Sequence, residues 1–373
     1  MPIEIDIKTR IIADDHRVLI ARPGAKYRLH SEFYNRNFVG VELPGLFDEN
    51  EQISFQDENI VARVKRSLAI RRWLTRAADE DEPTHDLADY DNQTVTPSIR
   101  QYMRLLQYYL VTAAQGDLVL NPPMSFDGMV QIGEVTPQAN PRLYQVEQYG
   151  QFGLVGIPVR WVGKLPKQSL PASSLEALKK PTALFAVGPQ QRDKIYAAAY
   201  GNYTYKDLYV SSFATLSERY GSFEELIFQS FVNSVALNTQ RIDLGRDDVV
   251  SLSAAAAFLI ENGEIELGDY GLDLNININS PGIISLISSK ITPIVAVTIF
   301  TLAVLHGGQA FTEIAAGQLI IGNSSAEPGD PCAALVHQQT YAQIQLLGWD
   351  KWVPECERLL RLREETGLGT RTN

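Results

Sequence analysis

Between Ile283 and Leu305 the chain carries a single charge, Lys290, and such a run must leave water. Two environments accept it, a protein interior or a lipid bilayer. The charge-free part begins at Ile291 and ends by His306, short of the roughly 20 residues a spanning helix needs. Adding Ile283–Lys290 supplies the length but places a lysine inside. A central lysine costs about 2.5–3.5 kcal/mol, and each Leu, Ile or Val returns about 0.3–0.6 kcal/mol. The two sums nearly cancel, and Pro293 interrupts the run. The expectation is a helix over 283–305, buried in a core or between subunits of a homo-oligomer, with membrane insertion as the alternative.

A chain of 373 residues exceeds one ordinary core and predicts two domains. Its charge is uneven. Residues 1–190 hold 21 Lys and Arg against 23 Asp and Glu, whereas residues 191–373 hold 12 against 21. The acidic rear half repels phosphate backbones and anionic membranes, so a nucleic acid would meet the front half. Cys332 and Cys356 form no metal or disulfide framework, which suits reduced thiols in the cytoplasm. Met1 to Asp6 has neither a basic start nor an apolar run, so no signal peptide is expected.

In the front half, Arg17–Arg22, Phe38–Leu43, Asp117–Leu120, Met129–Val135, Ile157–Val162 and Thr182–Val187 read as strands. Asn59–Arg76 reads as a helix with an imperfect apolar stripe, closed by the acidic loop from Asp79. Thr96-Pro97 opens a second helix, because proline loses nothing at a first helical position. Gly188-Pro189 marks the domain end. The rear half, 191–373, is expected to be mainly helical. It has a capping box at Ser222–Glu225, a hairpin from Glu264 to Asn279, and closing helices over Ala333–Leu347 and Pro354–Glu365.

Four front-half segments occur in a recognisable order. They are Val18-Leu-Ile-Ala-Arg-Pro-Gly leading to Phe38-Val-Gly-Val-Glu-Leu-Pro-Gly; Gly116-Asp-Leu-Val-Leu; Ile132-Gly-Glu-Val-Thr; and Pro158-Val-Arg-Trp-Val-Gly with Leu165-Pro-Lys-Gln-Ser-Leu. Over roughly residues 10–190 the chain resembles the N-terminal domain of Mrr-like restriction proteins, of the PUA/EVE-like group of small β-barrels. The resemblance implies an α+β fold with a barrel domain over 1–190. It also implies a base or modified base held in an aromatic-lined pocket, and a sensor's part in anti-phage defence. Two departures stand out. Ala77–Asp91 is an insertion, and the rear half lacks the Glu-x-Lys unit of the Mrr nuclease, although Asp269 and Asp273 resemble its first acidic position. A degenerate restriction nuclease is therefore the second alternative, behind a membrane-acting effector.

Trp161, with Tyr144, Tyr149 and Phe152, is the candidate stacking pocket, since every base has a π-face. Core or barrel-rim packing is the competing explanation of those rings. Arg160 and Glu134 are the candidate polar readers beside it. Arg63, Lys65, Arg66, Arg71 and Arg72 form the one basic concentration, suited to a phosphate backbone or to a solvated helix face. No two of the five histidines share ligand spacing with each other or with a cysteine. There is no nucleophile elbow, Walker A or Rossmann glycine pattern. No metal, cofactor or catalytic residue is expected. The partners expected are a nucleotide or nucleic acid and further copies of the chain.

Overall fold

The computed structural model describes residues 3–6, 9–75, 81–91, 94–137, 140–179 and 184–206. Beyond these it describes 208–215, 229, 232–234, 236–241, 244–246, 273–277, 282–288, 319–322 and 368–370. Two compact units are present: Asp15–Ala199, and Met1–Asp14 together with Tyr200–Asn373. The front unit thus runs past Gly188-Pro189 to the end of a helix, and the first fourteen residues group with the rear.

Strands β1 (Ile3–Asp6) and β2 (Arg10–Ile12) precede the front unit. Within that unit follow β3 (Val18–Ala21), α1 (His30–Asn35), β4 (Phe38–Gly40), α2 (Ile60–Thr75), α3 (Ala88–Asp91) and α4 (Pro97–Gln107). Then come β5 (Leu118–Asn121), β6 (Met129–Val135), β7 (Arg142–Tyr144), β8 (Leu154–Pro166), α5 (Ala172–Lys179), β9 (Leu184–Ala186) and α6 (Asp193–Tyr200). The strands form one curled mixed sheet, a half-barrel, in the order β4-β8-β6-β5-β3-β9, with β7 on β8. Only β3 and β5 run parallel. The unit combines this sheet with helices, an α+β architecture.

β8 is the spine. Its first residues pair with β4 and β7, and from Val159 it pairs with β6. The register slips between Ile132 and Gly133, where Gly133 faces Trp161 and Ile132 faces Gly163, so Val162 is the extra residue. Such a bulge bends a strand and sharpens its twist, which curls the sheet. Gly40 opposite Gly156 lets β4 come close, because a Cβ on Gly40 would stand 2.4 Å from the Val155 carbonyl oxygen.

Leu19, Phe33, Phe38, Leu43, Val64, Leu106, Tyr149 and Ile157 belong to one buried cluster that joins the sheet to α2 and α4. The alternate residues Val18, Ile20, Leu118 and Leu120 are also buried, so both faces of these strands are covered. α4 begins where the sequence predicts: the Thr96 hydroxyl caps the Ile99 N–H and Pro97 takes the first turn. A π-helical turn, Tyr108–Thr112, extends α4 beyond Gln107.

The described part of the rear unit contains β10 (Tyr203–Tyr205), β11 (Leu208–Thr215), β12 (Asp273–Asn277), β13 (Gly282–Ser288), β14 (Leu319–Gly322) and β15 (Leu368–Thr370). A sheet runs β12-β13-β11-β10-β2, with β15 on β11, and β1 pairs separately with β14. The described residues of this unit are mostly strand, with helix at 232–234 and 236–241, and most of the region that the sequence predicts to be helical lies outside them. The helix expected from Ile283 starts instead as β13, antiparallel to both β11 and β12. Three β-branched isoleucines in seven residues favour a pleated strand, and partners on both edges satisfy its backbone hydrogen bonds. Of the predicted hairpin, Asp273–Asn277 is a strand and pairs with β13, and the expected first arm near Glu264 lies outside the described residues. Residues 289–305, Asp269, the capping box and both closing helices also lie outside them. Among the described residues no helix is long and apolar enough to cross a membrane.

Gly163 should show how tightly α6 is held. A Cβ there would sit 2.0 Å from the Ala198 carbonyl oxygen, whereas one on Gly188 meets nothing nearer than 3.9 Å. Thermal denaturation of Gly163→Val should show a loss of about 1–3 kcal/mol, the usual range for overpacking. Gly188→Ala should stay within about 0.5 kcal/mol of wild type.

Candidate functional site

Helix α2 carries its basic residues inward. Arg63, Lys65 and Arg66 are buried, as are Val64 and Ile70. The Arg63 guanidinium forks onto both Glu51 oxygens at 2.7 and 2.8 Å, and its Nε donates to Asp57 at 2.8 Å. Lys65 Nζ donates to the Tyr90 carbonyl at 2.8 Å, and Arg66 Nη2 donates to that of Gly45 at 2.8 Å. These cations fasten the loop after β4 and the Asp81–Asp91 insertion to the helix. Of the five basic residues singled out in the sequence, only Arg72 is exposed. Arg71 takes a different course.

Arg71 reaches toward Glu42, two residues beyond β4. Glu42 is nearly buried and is the centre of a polar network. Its Oε1 accepts from Arg28 Nε at 2.5 Å and from the Tyr149 hydroxyl at 2.6 Å. Its Oε2 accepts from the Ala25 N–H at 2.7 Å and stands 3.5 Å from Arg71 Nη1. The same Nη1 donates to the Tyr102 hydroxyl at 2.6 Å. Burial, and then the neighbouring Glu42 charge, push the Tyr149 phenol well above its ordinary pKa, which keeps it a donor.

A cavity of about 230 Å³ adjoins this network. Its walls are the Arg22–Ala25 loop, the chain from Gly40 to Glu42, Arg71 of α2, Tyr102 and Leu105 of α4, and Tyr109 of the π-turn. One-turn π-bulges occur often at functional sites, and here the turn sets Tyr108 and Tyr109 to different tasks. The Tyr108 hydroxyl donates to Asp117 at 3.3 Å, and Tyr109 lines the cavity. The loop wall is strained. Lys26 and Tyr27 both have positive φ, 53° and 58°, just after Gly24 at 72°. Glu42 holds this loop at Ala25, and the Tyr27 ring takes the Lys167 ammonium at 4.8 Å and the Arg22 guanidinium at 5.0 Å. Such conformations persist where surrounding contacts over-determine them.

The six proposed readers do not converge on one pocket. Trp161 is half-buried, with its indole N–H donating to the Tyr34 carbonyl at 2.9 Å and its ring beside Tyr34 at 5.5 Å. Arg160 and Glu134 form an ion pair at 2.6 Å, with the Arg160 side chain 70% exposed. Tyr144 stacks on Phe38 at 4.0 Å, and Phe152 meets Trp73 edge-on at 6.4 Å. Tyr149 alone joins the Glu42 network, from within the core. Sequence reasoning missed Glu42, Arg22, Tyr102, Leu105 and Tyr109. Its signal was the lone acid in Phe38-Val-Gly-Val-Glu-Leu-Pro, since an acid in an apolar run is buried only when paired. Among the described residues no group of three acid, histidine or cysteine side chains is placed to hold a metal ion. No family model, curated protein or solved structure matches this chain.

Glu42→Ala should leave Arg28 and Arg71 facing each other without a counter-charge. Breaking a fully buried pair costs about 3–5 kcal/mol, and both arginines here keep some solvent contact. Chemical denaturation should therefore show a loss of about 2–4 kcal/mol, and Tyr149→Phe a smaller one near 1 kcal/mol. Wild-type stability in Glu42→Ala would mean that the carboxylate organises nothing.

Proposed function

We propose that the front unit is a PUA/EVE-like recognition domain that binds a nucleotide, a modified base or a nucleic acid, and that the protein acts as a defence-type sensor in the cytoplasm. The cavity beside Glu42 carries this reading. Small-ligand sites are concave and mostly apolar, with a few polar groups converging on them. Leu105, Tyr102 and Tyr109 supply the apolar and aromatic wall, and Arg71 and Glu42 supply the polar edge. The strained Gly24–Tyr27 loop beside the cavity also supports it, because strain gathers at ligand clamps. The rear unit would assemble copies of the chain or engage a partner once the ligand is seated.

A second site is favoured by one observation. Tyr34, 45% exposed, and Trp161 form an aromatic pair on the surface, with the exposed Arg160 next in sequence. Bases of a single strand could stack there.

Calorimetric titration with nucleosides, 5′-mononucleotides and short oligonucleotides separates the two. Leu105→Trp, which fills the cavity, should abolish binding, and Trp161→Ala should leave it within about threefold of wild type, as expected for a residue outside the site. The reverse result, with both variants folded, would move the site to the Tyr34–Trp161 surface.

A further inference from the structure

We infer that the cavity beside Glu42 seats a terminal phosphate, with Arg71 and Tyr102 as its donors and Glu42 as a positioning residue that reads nothing itself. The inference rests on the reading of that cavity as the ligand site, and it selects among the ligands proposed there.

Acceptors and donors in the lining are unequally available. A carboxylate offers about four lone-pair sites. At Glu42 the approaching groups are Arg28, the Tyr149 hydroxyl, the Ala25 N–H and Arg71. A base presenting N–H groups would have to displace one of them, and all four hold the wall in place. Donors are in a different position. Arg71 has five N–H donors, and its Nη1 serves Tyr102 and Glu42. The Tyr102 hydroxyl accepts from Arg71, which polarises it and leaves its own proton to give. An acceptor-only group fits these two side chains.

Charge favours the same group. Arg28 and Arg71 share one carboxylate. The local balance is positive, and partial burial strengthens its attraction for an oxyanion. Arginine forks match phosphate geometry, and such charge-assisted bonds are roughly twice as strong as neutral ones. Size sets the rest. The volume, about 230 Å³, falls below the roughly 300–1,000 Å³ of sites that enclose drug-sized ligands. It suits one phosphate with part of its nucleoside lying along Leu105 and Tyr109. A phosphodiester inside a continuous strand carries chain on both sides, whereas a free 5′-mononucleotide or the phosphorylated 5′ end of a strand needs room on one side only, which matches a cavity of this size.

The test is calorimetry on the full chain with the four ribonucleoside 5′-monophosphates, their parent nucleosides, and one tetranucleotide with and without a 5′-phosphate. At least one monophosphate should bind tenfold or more tightly than its nucleoside. Tyr102→Phe keeps the ring and removes the proton, so it should cut monophosphate affinity roughly tenfold and nucleoside affinity by much less. Arg71→Lys keeps the charge without the fork and should reduce the same preference. Thermal denaturation confirms that both variants are folded. A 5′-phosphate preference in the tetranucleotide as large as in the monomer assigns a strand end, and a smaller one assigns the free nucleotide. Nucleosides that bind as tightly as monophosphates, in a site that Leu105→Trp abolishes, would overturn the phosphate and leave the ligand site standing. No binding by any probe to the folded protein would remove both.

Discussion

Glu42 sits where three separate pieces of the front unit meet, and its carboxylate reaches all of them. It ties the Arg22–Arg28 loop through a backbone N–H and a guanidinium, the region before β8 through Tyr149, and helix α2 through Arg71. A buried carboxylate without such partners would be driven to protonate or to expose itself. With them it becomes a rigid centre, and the groups it orders are those around the cavity. The strained Lys26–Tyr27 backbone is held in part by it, through the Ala25 N–H, and in part by the contacts of the Tyr27 ring. On the proposed function, stability and recognition share one residue.

Helix α2 follows the same logic on a larger scale. Its cations do the packing that apolar residues do in an ordinary amphipathic helix. Arg63 lies over the Phe47 ring at 5.1 Å while its fork takes Glu51, and Arg66 reaches the Gly45 carbonyl. Long basic side chains can cover apolar surface along their stems and still satisfy distant acceptors with their heads. They let one helix fasten an irregular loop whose apolar residues, Leu43, Leu46 and Phe47 among them, already lie in the core. This also takes most of the basic concentration out of reach of a phosphate backbone, and leaves Arg71 as its member at the cavity.

Much of the front-unit fold was legible in the sequence. β6 is found at Met129–Val135 as the sequence predicts, and α4 starts at the Thr96-Pro97 signal. These are local effects, fixed by a cap, a proline or a short β-like run. What was not legible depends on pairing across distance. The inward turn of Arg63 and Arg66 depends on Glu51, Asp57 and Gly45, and a basic stripe in sequence does not reveal its partners. Trp161 was singled out by its motif, and the motif does not show that its ring lies against Gly133 or that the Tyr34 carbonyl takes its N–H. β13 misled for a related reason: an unbroken apolar run fits a buried strand as well as a buried helix, and only the two strands beside it decide.

The central claim is that the Glu42 network shapes a ligand site. Hydrogen exchange of the full chain, with and without a saturating 5′-mononucleotide, tests it most directly. Protection should rise at Gly24–Arg28, around Glu42 and Arg71, and from Tyr102 to Tyr109, as the ligand quiets the strained loop and the π-turn. Protection confined to Tyr34 and the Arg160–Gly163 segment, or none anywhere in the front unit, would contradict it.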